Sequence, residues 1–353
     1  MEVAEFFAGI GLMRMGLERA GAKVVYANDL SESKAAMYQG HFGTGAEFVR
    51  GDLWRIEPRS VPKVDLATAS FPCTDLSLAG ARKGLAGPQS SAFWAFIRIL
   101  EGVKFRPDQI LIENVPAFLT SGDGEDFHEA MLALSNLGYA LDAWVLDAAY
   151  FVPQSRKRLF VAGRLGGIRG QVPESPSPLR PHGLLAAIER SREARWNMRE
   201  IDPPKEDRPT LASVLEPGAP WLPEPRLESL KAQLGGDGVA RAIDAARFES
   251  PFYATGFRRM RGGRPVIELR TDGLAGCLRT PKGGSARQFL FRFQGDRIDA
   301  RLFTARECAR LMGAGDYRFE RSEQQALFGF GDAVCVPAVE WLAKHALGQP
   351  VSS

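Results

Sequence analysis

For roughly its first 165 residues the chain alternates short apolar runs with amphipathic stretches. That alternation confines it to an α/β fold built on a mostly parallel sheet. Strands are predicted over residues 3–7, 23–28, 64–70, 109–113, 140–147 and 158–163. Helices are predicted over 12–20, 31–41, 91–100 and 124–137. The third of these carries Phe93, Trp94, Phe96, Ile97 and Leu100, a broad apolar face. Composition changes after Gly163. Residues 166 to about 225 are rich in proline and glycine and are predicted to be a linker into a loop-rich second module. From Phe252 to Phe293 glycine and arginine punctuate short apolar runs, with strands expected over 266–270 and 288–293, so this module is predicted to be small and β-rich. Helical periodicity returns over 305–312 and 337–347, and there is no internal repeat.

With 353 residues, 45% hydrophobic and 25% charged, the composition is that of a globular protein of one large domain or two ordinary ones. No apolar run is long enough to span a bilayer. Glu2 and Glu5 open the chain without a signal-peptide pattern, so a cytoplasmic location and no membrane partner are expected. Cys73, Cys277, Cys308 and Cys335 are far apart with no CxxC pair, which argues against zinc and against a disulfide framework. No metal is expected. Net charge is only +3, but Arg258, Arg259, Arg261, Arg264, Arg270, Arg279, Lys282 and Arg287 fall between residues 258 and 287. Arginine outnumbering lysine favours planar, bidentate contacts with phosphates or guanine edges. A solvated basic loop is the alternative.

Four segments carry chemistry. The first strand runs into Phe6-Phe7-Ala8-Gly9-Ile10-Gly11-Leu12, a strand, glycine turn and helix start that lets a ligand approach backbone amides. The second strand ends at Asn28-Asp29-Leu30, where an acid can accept hydrogen bonds from a ribose; alternatively Asp29 caps the next helix, with Ser31 sharing that role. Gly51-Asp52-Leu53 offers a further carboxylate on the same edge. Together these strand ends favour a nucleoside-bearing cofactor. Cys73 follows Phe71-Pro72 at a strand end, on a turn stiffened by proline. That suits an exposed nucleophile, whereas a free cysteine is otherwise a small buried hydrophobe. The segment from Thr74 to Gly87 is glycine-rich and reads as a loop able to close over a substrate. Glu113 ends a strand before Asn114-Val115-Pro116 and is either an acid for a ring nitrogen or an ion-paired strand-end carboxylate. Gln154-Ser155-Arg156-Lys157-Arg158 supplies paired arginines.

In this order the segments resemble the DNA cytosine-5 methyltransferase family. Phe7-Ala8-Gly9-Ile10-Gly11 is similar to its cofactor motif, Phe71-Pro72-Cys73 to its nucleophile motif, Glu113-Asn114-Val115 to its acid motif and Gln154–Arg158 to its QxRxR motif. Arg306-Glu307-Cys308-Ala309-Arg310-Leu311-Met312-Gly313 looks like the helix beyond the variable region, and Gly331-Asp332-Ala333-Val334 resembles the closing cofactor motif. Residues 164–303 are largely unmatched.

The resemblance implies an S-adenosylmethionine-dependent, Rossmann-like methyltransferase fold: a mostly parallel sheet with helices on both faces, plus a smaller β- and loop-rich target-recognition domain. Residues 1–175 and 320–353 would form the catalytic, cofactor-binding domain, and 176–319 the target-recognition domain and hinge. Cys73, Glu113, Arg156 and Arg158 would be catalytic. Phe6, Ala8, Gly9, Ile10, Gly11, Leu12, Asp29, Leu30, Asp52, Leu53, Pro72, Asp332, Ala333 and Val334 would bind S-adenosyl-L-methionine and its product S-adenosyl-L-homocysteine. Ser77, Arg82, Gln154, Tyr253, Arg258, Arg259, Arg261, Arg279, Lys282 and Arg287 would meet double-stranded DNA, with the enzyme acting as a monomer. A cognate nuclease or defence-system proteins would be its biological partners. A relative acting on tRNA cytosine, or an inactive binding module, are the competing readings. The chain departs from the family pattern at Thr74, Ala79, Leu30, Gln89 and Asp332.

Overall fold

The computed structural model describes residues 1–45, 47–72, 91–235, 237–281, 286–319 and 322–347. Within it the chain divides into two units. The first comprises Met1–Asp147, Lys157–Pro204 and the chain from Ala338 onward; the second comprises Ala148–Arg156 and Lys205–Pro337.

The first unit is built on strands β1 (Glu2–Phe6), β2 (Lys23–Asp29), β3 (Phe48–Arg50), β4 (Leu66–Ala69), β5 (Gln109–Asn114), β6 (Tyr139–Asp147) and β7 (Lys157–Leu165). They form one sheet in the order β3-β2-β1-β4-β5-β7-β6. Neighbours from β3 to β5 are parallel, and β7 runs antiparallel to both β5 and β6. The strand order reverses between β1 and β4, the position where open α/β sheets place ligands beyond the strand ends. β4 and β5 are buried along their whole length, which explains why Glu113 is the one charged residue in their text.

Helices α1 (Leu12–Arg19), α2 (Glu32–Phe42), α3 (Ser91–Gly102) and α4 (Glu125–Asn136) follow the predicted periodicity. Phe127, Ala130, Met131 and Leu134 recur on one stripe of α4 and pack with Phe93, Phe96, Ile97 and Leu100 of α3 on one side of the sheet. α1 meets the other side, where the Arg14 amide donates to Glu5 of β1.

The predicted linker is corrected. Helix α5 (His182–Arg190) lies within it, and Leu184, Ala187, Ile188 and Trp196 join the core of α3 and α4. Trp196 stacks on Phe127 at 6.3 Å. Backbone bonds from Leu141 to Arg195 and from Asn197 to Leu141 cover the free edge of β6. Arg180 forms a buried pair with Asp142 of β6 at 2.8 Å. Prolines at the ends of this segment dominate its composition and hide the apolar stripe between them.

The second unit holds α6 (Glu224–Lys231), β8 (Leu234–Gly235), α7 (Gly238–Ala245), β9 (Phe252–Arg261), β10 (Arg264–Arg270), β11 (Phe289–Gln294) and β12 (Arg297–Leu302). These are followed by α8 (Ala305–Leu311), α9 (Glu323–Asp332) and α10 (Val336–His345), of which α10 continues into the first unit. Its five-stranded sheet has the order β12-β11-β9-β10-β8. β9 and β10 form a hairpin over Gly262-Gly263, whose φ of 54° and 76° suit the two-residue turn. Period-two alternation splits this sheet into two faces. Phe252, Ala254, Ile267, Leu269, Phe289, Phe291 and Phe293 face a core shared with Leu227 and Leu230 of α6 and Ala242 of α7. The registers put Tyr253, Phe257, Arg259, Arg261, Arg264, Arg270, Arg292, Arg297 and Arg301 on the opposite face. The stretch Glu323–His345 is apolar enough by length and composition to cross a membrane, but 61% of that window is buried, as in core helices.

Candidate active site and nucleic-acid face

The ends of β1 and β2 build a turn suited to a nucleoside. Phe7 and Gly9 take left-handed conformations, with φ of 57° and 58°. For a non-glycine residue such as Phe7 that conformation is rare and marks a turn held by its surroundings. The Gly9 amide donates to Asp29 Oδ2 at 2.8 Å, and the Ser31 amide donates to Asp29 Oδ1 at 2.7 Å. Ser31, not Asp29, is the N-cap of α2, through its Oγ and the Lys34 amide. A carboxylate has about four acceptor positions, so Asp29 keeps capacity for ribose hydroxyls. A side chain at Gly9 would meet almost nothing, only its own turn's Phe7 carbonyl at 4.0 Å. Gly11, with φ of 83°, instead packs under α2: a Cβ there would collide with the Phe42 ring and lie 2.9 Å from Tyr38.

Asn28 holds β3 through bonds to the carbonyls of Val49 and Gly51, at 2.9 and 3.0 Å. The Gly51 amide in turn donates to the Asp29 carbonyl at 3.1 Å. Asp52 follows, its Oδ1 accepting from the Trp54 amide at 3.0 Å, and Leu30 at the end of β2 is 68% exposed. An open glycine turn, two carboxylates and an exposed apolar surface on one sheet edge fit the adenosine portion of S-adenosylmethionine. Phe6 does not join them. It is 1% exposed and packs against Tyr26 and Phe96 in the core. The half-buried aromatic at the turn is Phe7, which the sequence placed in the cofactor motif but not among the residues expected to bind. Ala8, Ile10, Leu12 and Leu53 are buried and shape the turn from beneath.

At the ends of β4, β5 and β7 a second cluster forms. Glu113, next to last in β5 and largely buried, accepts through Oε1 from Arg158 Nε of β7 at 3.1 Å. Antiparallel pairing of Glu113 with Phe160 puts Arg158, two residues away, on the same face. Asn114 donates to the Phe71 carbonyl at 3.4 Å, and Phe71 packs against Phe93 and Phe118. The chain is thus anchored beside Glu113 as it reaches the exposed Pro72. Cys73, Ser77 and Arg82 lie outside the described residues, as do Thr74, Ala79, Gln89 and Lys282.

Gln154 and Arg156 belong to the second unit, and both are buried. Gln154 donates to the Leu311 carbonyl at 2.6 Å and accepts from the Leu278 amide at 3.0 Å. Arg156 donates to the carbonyls of Leu278, Gly331 and Ala333 at 2.8, 3.2 and 2.5 Å. These bonds make Gln154 a loop clamp rather than a DNA contact, and Arg156 a tie between the loop at 277–278 and the closing motif. Asp332 is exposed at the end of α9, and Val334 is buried.

The expected DNA contacts separate by register. Arg258 sits on the apolar face with its guanidinium 5.3 Å from the Phe289 ring centre, so it is removed from the polar face. Tyr253 lines a cavity of about 440 Å³ with Glu206, Asp207, Glu249 and Asp272, against the single cation Arg208, which pairs with Glu206, so the setting is net acidic. Arg261 pairs with Glu268 at 2.5 Å. Arg287 donates to the Phe303 carbonyl at 3.4 Å and faces Glu323 at 3.8 Å. Arg259 and Arg279 lie 5.3 and 6.0 Å from the Phe257 ring centre.

An open, mostly parallel sheet with a nucleoside-sized turn at its switch point, joined to an arginine-faced β module, defines a Rossmann-like methyltransferase. The model of the C-5 cytosine-specific DNA methylase family matches residues 1–347, and the chain belongs to that family. It is 25% identical over 350 residues to the Type II methyltransferase M.HhaI of Haemophilus parahaemolyticus, covering 96% of this chain and 92% of the relative. It is 29% identical over 267 residues to the Type II methyltransferase M.NgoBI of Neisseria gonorrhoeae, covering 75% and 80%. The structure of the S. pombe Dnmt2 methyltransferase shares the fold, with a TM-score of 0.65 at 20% identity over 98% of this chain and 97% of that one.

Proposed function

We propose that this chain methylates C5 of cytosine in specific duplex DNA sequences, using S-adenosyl-L-methionine, through a covalent Cys73 intermediate. The observation that carries the reading is the Glu113–Arg158 pair beside the anchored Phe71-Pro72 approach to Cys73. When bound, S-adenosyl-L-methionine supplies an electrophilic methyl group. Phe7, Gly9, Asp29, Leu30 and Asp52 would hold it.

Cytosine C5 is a poor nucleophile until C6 is attacked. The Cys73 thiolate adds to C6, and the electron pair moves to C5. Glu113 bonds the ring at N3 and lowers that barrier, while Arg158 orients Glu113 and supports the base. Once methyl transfer has left S-adenosyl-L-homocysteine, the C5 proton passes to water, its bonding pair re-forms the C5–C6 double bond, and the Cys73 thiolate is expelled from C6. A thiol reaches C6 only if the base leaves the stack, so the cytosine is flipped. The second unit, including the expected recognition segment 176–319 from Lys205 on, would read the sequence. Restriction-modification or phage defence is the proposed role, as a cytoplasmic monomer on DNA alongside a cognate nuclease. The Type II names of the relatives support it.

The test uses S-adenosyl-L-methionine with a tritiated methyl group, supplied with duplex DNA and separately with tRNA. Label at cytosine C5 of DNA is expected, and Cys73→Ser should abolish transfer while S-adenosyl-L-homocysteine still binds. Label in tRNA and in no DNA would overturn the reading.

A further inference from the structure

The arginines of the second sheet are not equivalent, and their pairing sorts them. On the polar face Arg261 is paired with Glu268, Arg270 with Asp272, Arg292 and Arg297 with Asp299, and Arg301 with Glu307. Each of these must abandon a carboxylate to take a base edge, and would leave that carboxylate facing DNA phosphates. Among the described residues Arg259 and Arg279 have no such partner. Both instead hold their guanidinium groups against one ring, that of Phe257. Phe257, Arg259, Glu268, Arg270, Cys277 and Arg279 line a cavity of about 300 Å³, large enough for a nucleobase edge. Arg264 also lacks a carboxylate, but it is exposed at the hairpin turn and no aromatic ring supports it.

The loop that delivers Arg279 is clamped. Gly276 exchanges two bonds of 2.7 Å with the Gln288 side chain. Leu278 is held on its amide by Gln154 and on its carbonyl by Arg156. Gly276 is required here because a Cβ would collide with the Phe257 ring. Arginine over an aromatic face is attracted by the ring quadrupole, which restricts the side chain before any ligand arrives.

We propose that Arg259 and Arg279 read guanine in the recognition sequence through its O6 and N7 atoms, with Phe257 as the residue that positions them. The inference rests on the duplex-DNA reading above. Two unpaired guanidinium forks beside a base-sized cavity match the bidentate donor pattern that guanine alone accepts at both O6 and N7. The paired arginines of the same face serve the sheet.

The experiment is bisulfite mapping of plasmid DNA methylated by the wild-type protein and by Arg259→Lys, Arg279→Lys and Phe257→Leu. Lysine keeps the charge and removes the fork. The wild type should require guanine at one or more positions beside the target cytosine. Each variant should relax that requirement, with methylation of the cognate site falling roughly tenfold or more while methylation of sites carrying another base at that position changes little. A uniform loss across all sequences would mean phosphate contacts and overturn the proposal, as would unchanged specificity. Thermal melting checks that the variants fold. As a second readout, alkylation of Cys277, followed by peptide mass spectrometry, should slow with duplex carrying the mapped site and not with duplex lacking it. Equal alkylation in both cases overturns the proposal. If the wild type methylates no DNA, the underlying reading fails first and takes this one with it.

Discussion

The two sheets put charge to work in opposite ways. In the first unit a few charged groups stand at strand ends, each with a defined partner: Glu113 with Arg158, Asp29 with the amides of Gly9 and Ser31. In the second unit many arginines share one face, and most are paired with a carboxylate, on a neighbouring strand for Arg261 and Arg292 and elsewhere nearby for Arg270, Arg297 and Arg301. At a strand end, position in the chain nearly determines position in space, so motif order foretells the site. On a sheet face, register and pairing decide which charges are available, and counting arginines along the chain does not.

The largest effect that would break this contrast is at Glu113. Glu113→Gln should lower methyl transfer at least a hundredfold, the scale of losing a positioned acid, with cofactor affinity retained. Single-turnover transfer and calorimetric titration with S-adenosyl-L-homocysteine separate the two. A variant within a fewfold of wild type would make the strand-end pair a structural ion pair.

Gln154→Leu comes next. It strands the Leu278 amide and the Leu311 carbonyl inside the second unit, at about 1–3 kcal/mol for each buried group. Denaturant unfolding should show a loss of that size. A change below ~0.5 kcal/mol would show that the clamp on the Arg279 loop is dispensable.

Glu5 sharpens the comparison from within the first sheet. It is fully buried, and burial raises its pKa to about 8, against the opposing Arg14 amide and guanidinium. Its Oε2 and the hydroxyl of its neighbour Thr68 are both buried without partners among the described residues. Between pH 4.5 and about 8 the folded state binds a proton that the unfolded state has lost, so stability falls as pH rises through that window. Glu5→Gln should remove this slope, which is roughly 1.4 kcal/mol per pH unit where the window is fully open. Parallel wild-type and variant stability curves from pH 5 to 8 would contradict the assignment.

The smallest effect is expected at Arg261. Its pair with Glu268 is exposed, so Arg261→Ala should change stability by less than about 1 kcal/mol and leave the mapped recognition sequence unaltered. Relaxed specificity in this variant would erase the distinction between paired and unpaired arginines.

Much of the first unit was legible in the sequence. Apolar runs alternating with amphipathic stretches place its first four helices and all but the shortest strand, and the order of Gly9, Asp29, Asp52 and Glu113 along the chain gathers them on one edge. Two features were not. Phe6 and Phe7 are adjacent aromatics, and only strand phase tells which faces the core. The segment from 166 to 204 looked like a linker because its prolines cluster outside α5, whose apolar stripe of Leu184, Ala187 and Ile188 is short. In the second unit β9 and β12 were missed because charged residues interrupt both, Arg258, Arg259 and Arg261 in β9 and Arg297, Asp299 and Arg301 in β12, which reads as a basic loop until the partner strand is known. The same run put Arg258 among the DNA contacts although it faces the core side, while Arg259, its neighbour, faces the cavity.

The most direct test of the account uses duplex DNA made with 5-fluorocytosine, which has no C5 proton to lose and so arrests the reaction after methyl transfer. Incubated with this DNA and S-adenosyl-L-methionine, the protein should form a denaturation-resistant adduct that peptide mass spectrometry places on Cys73. No adduct, or one on another residue, would contradict the proposed mechanism.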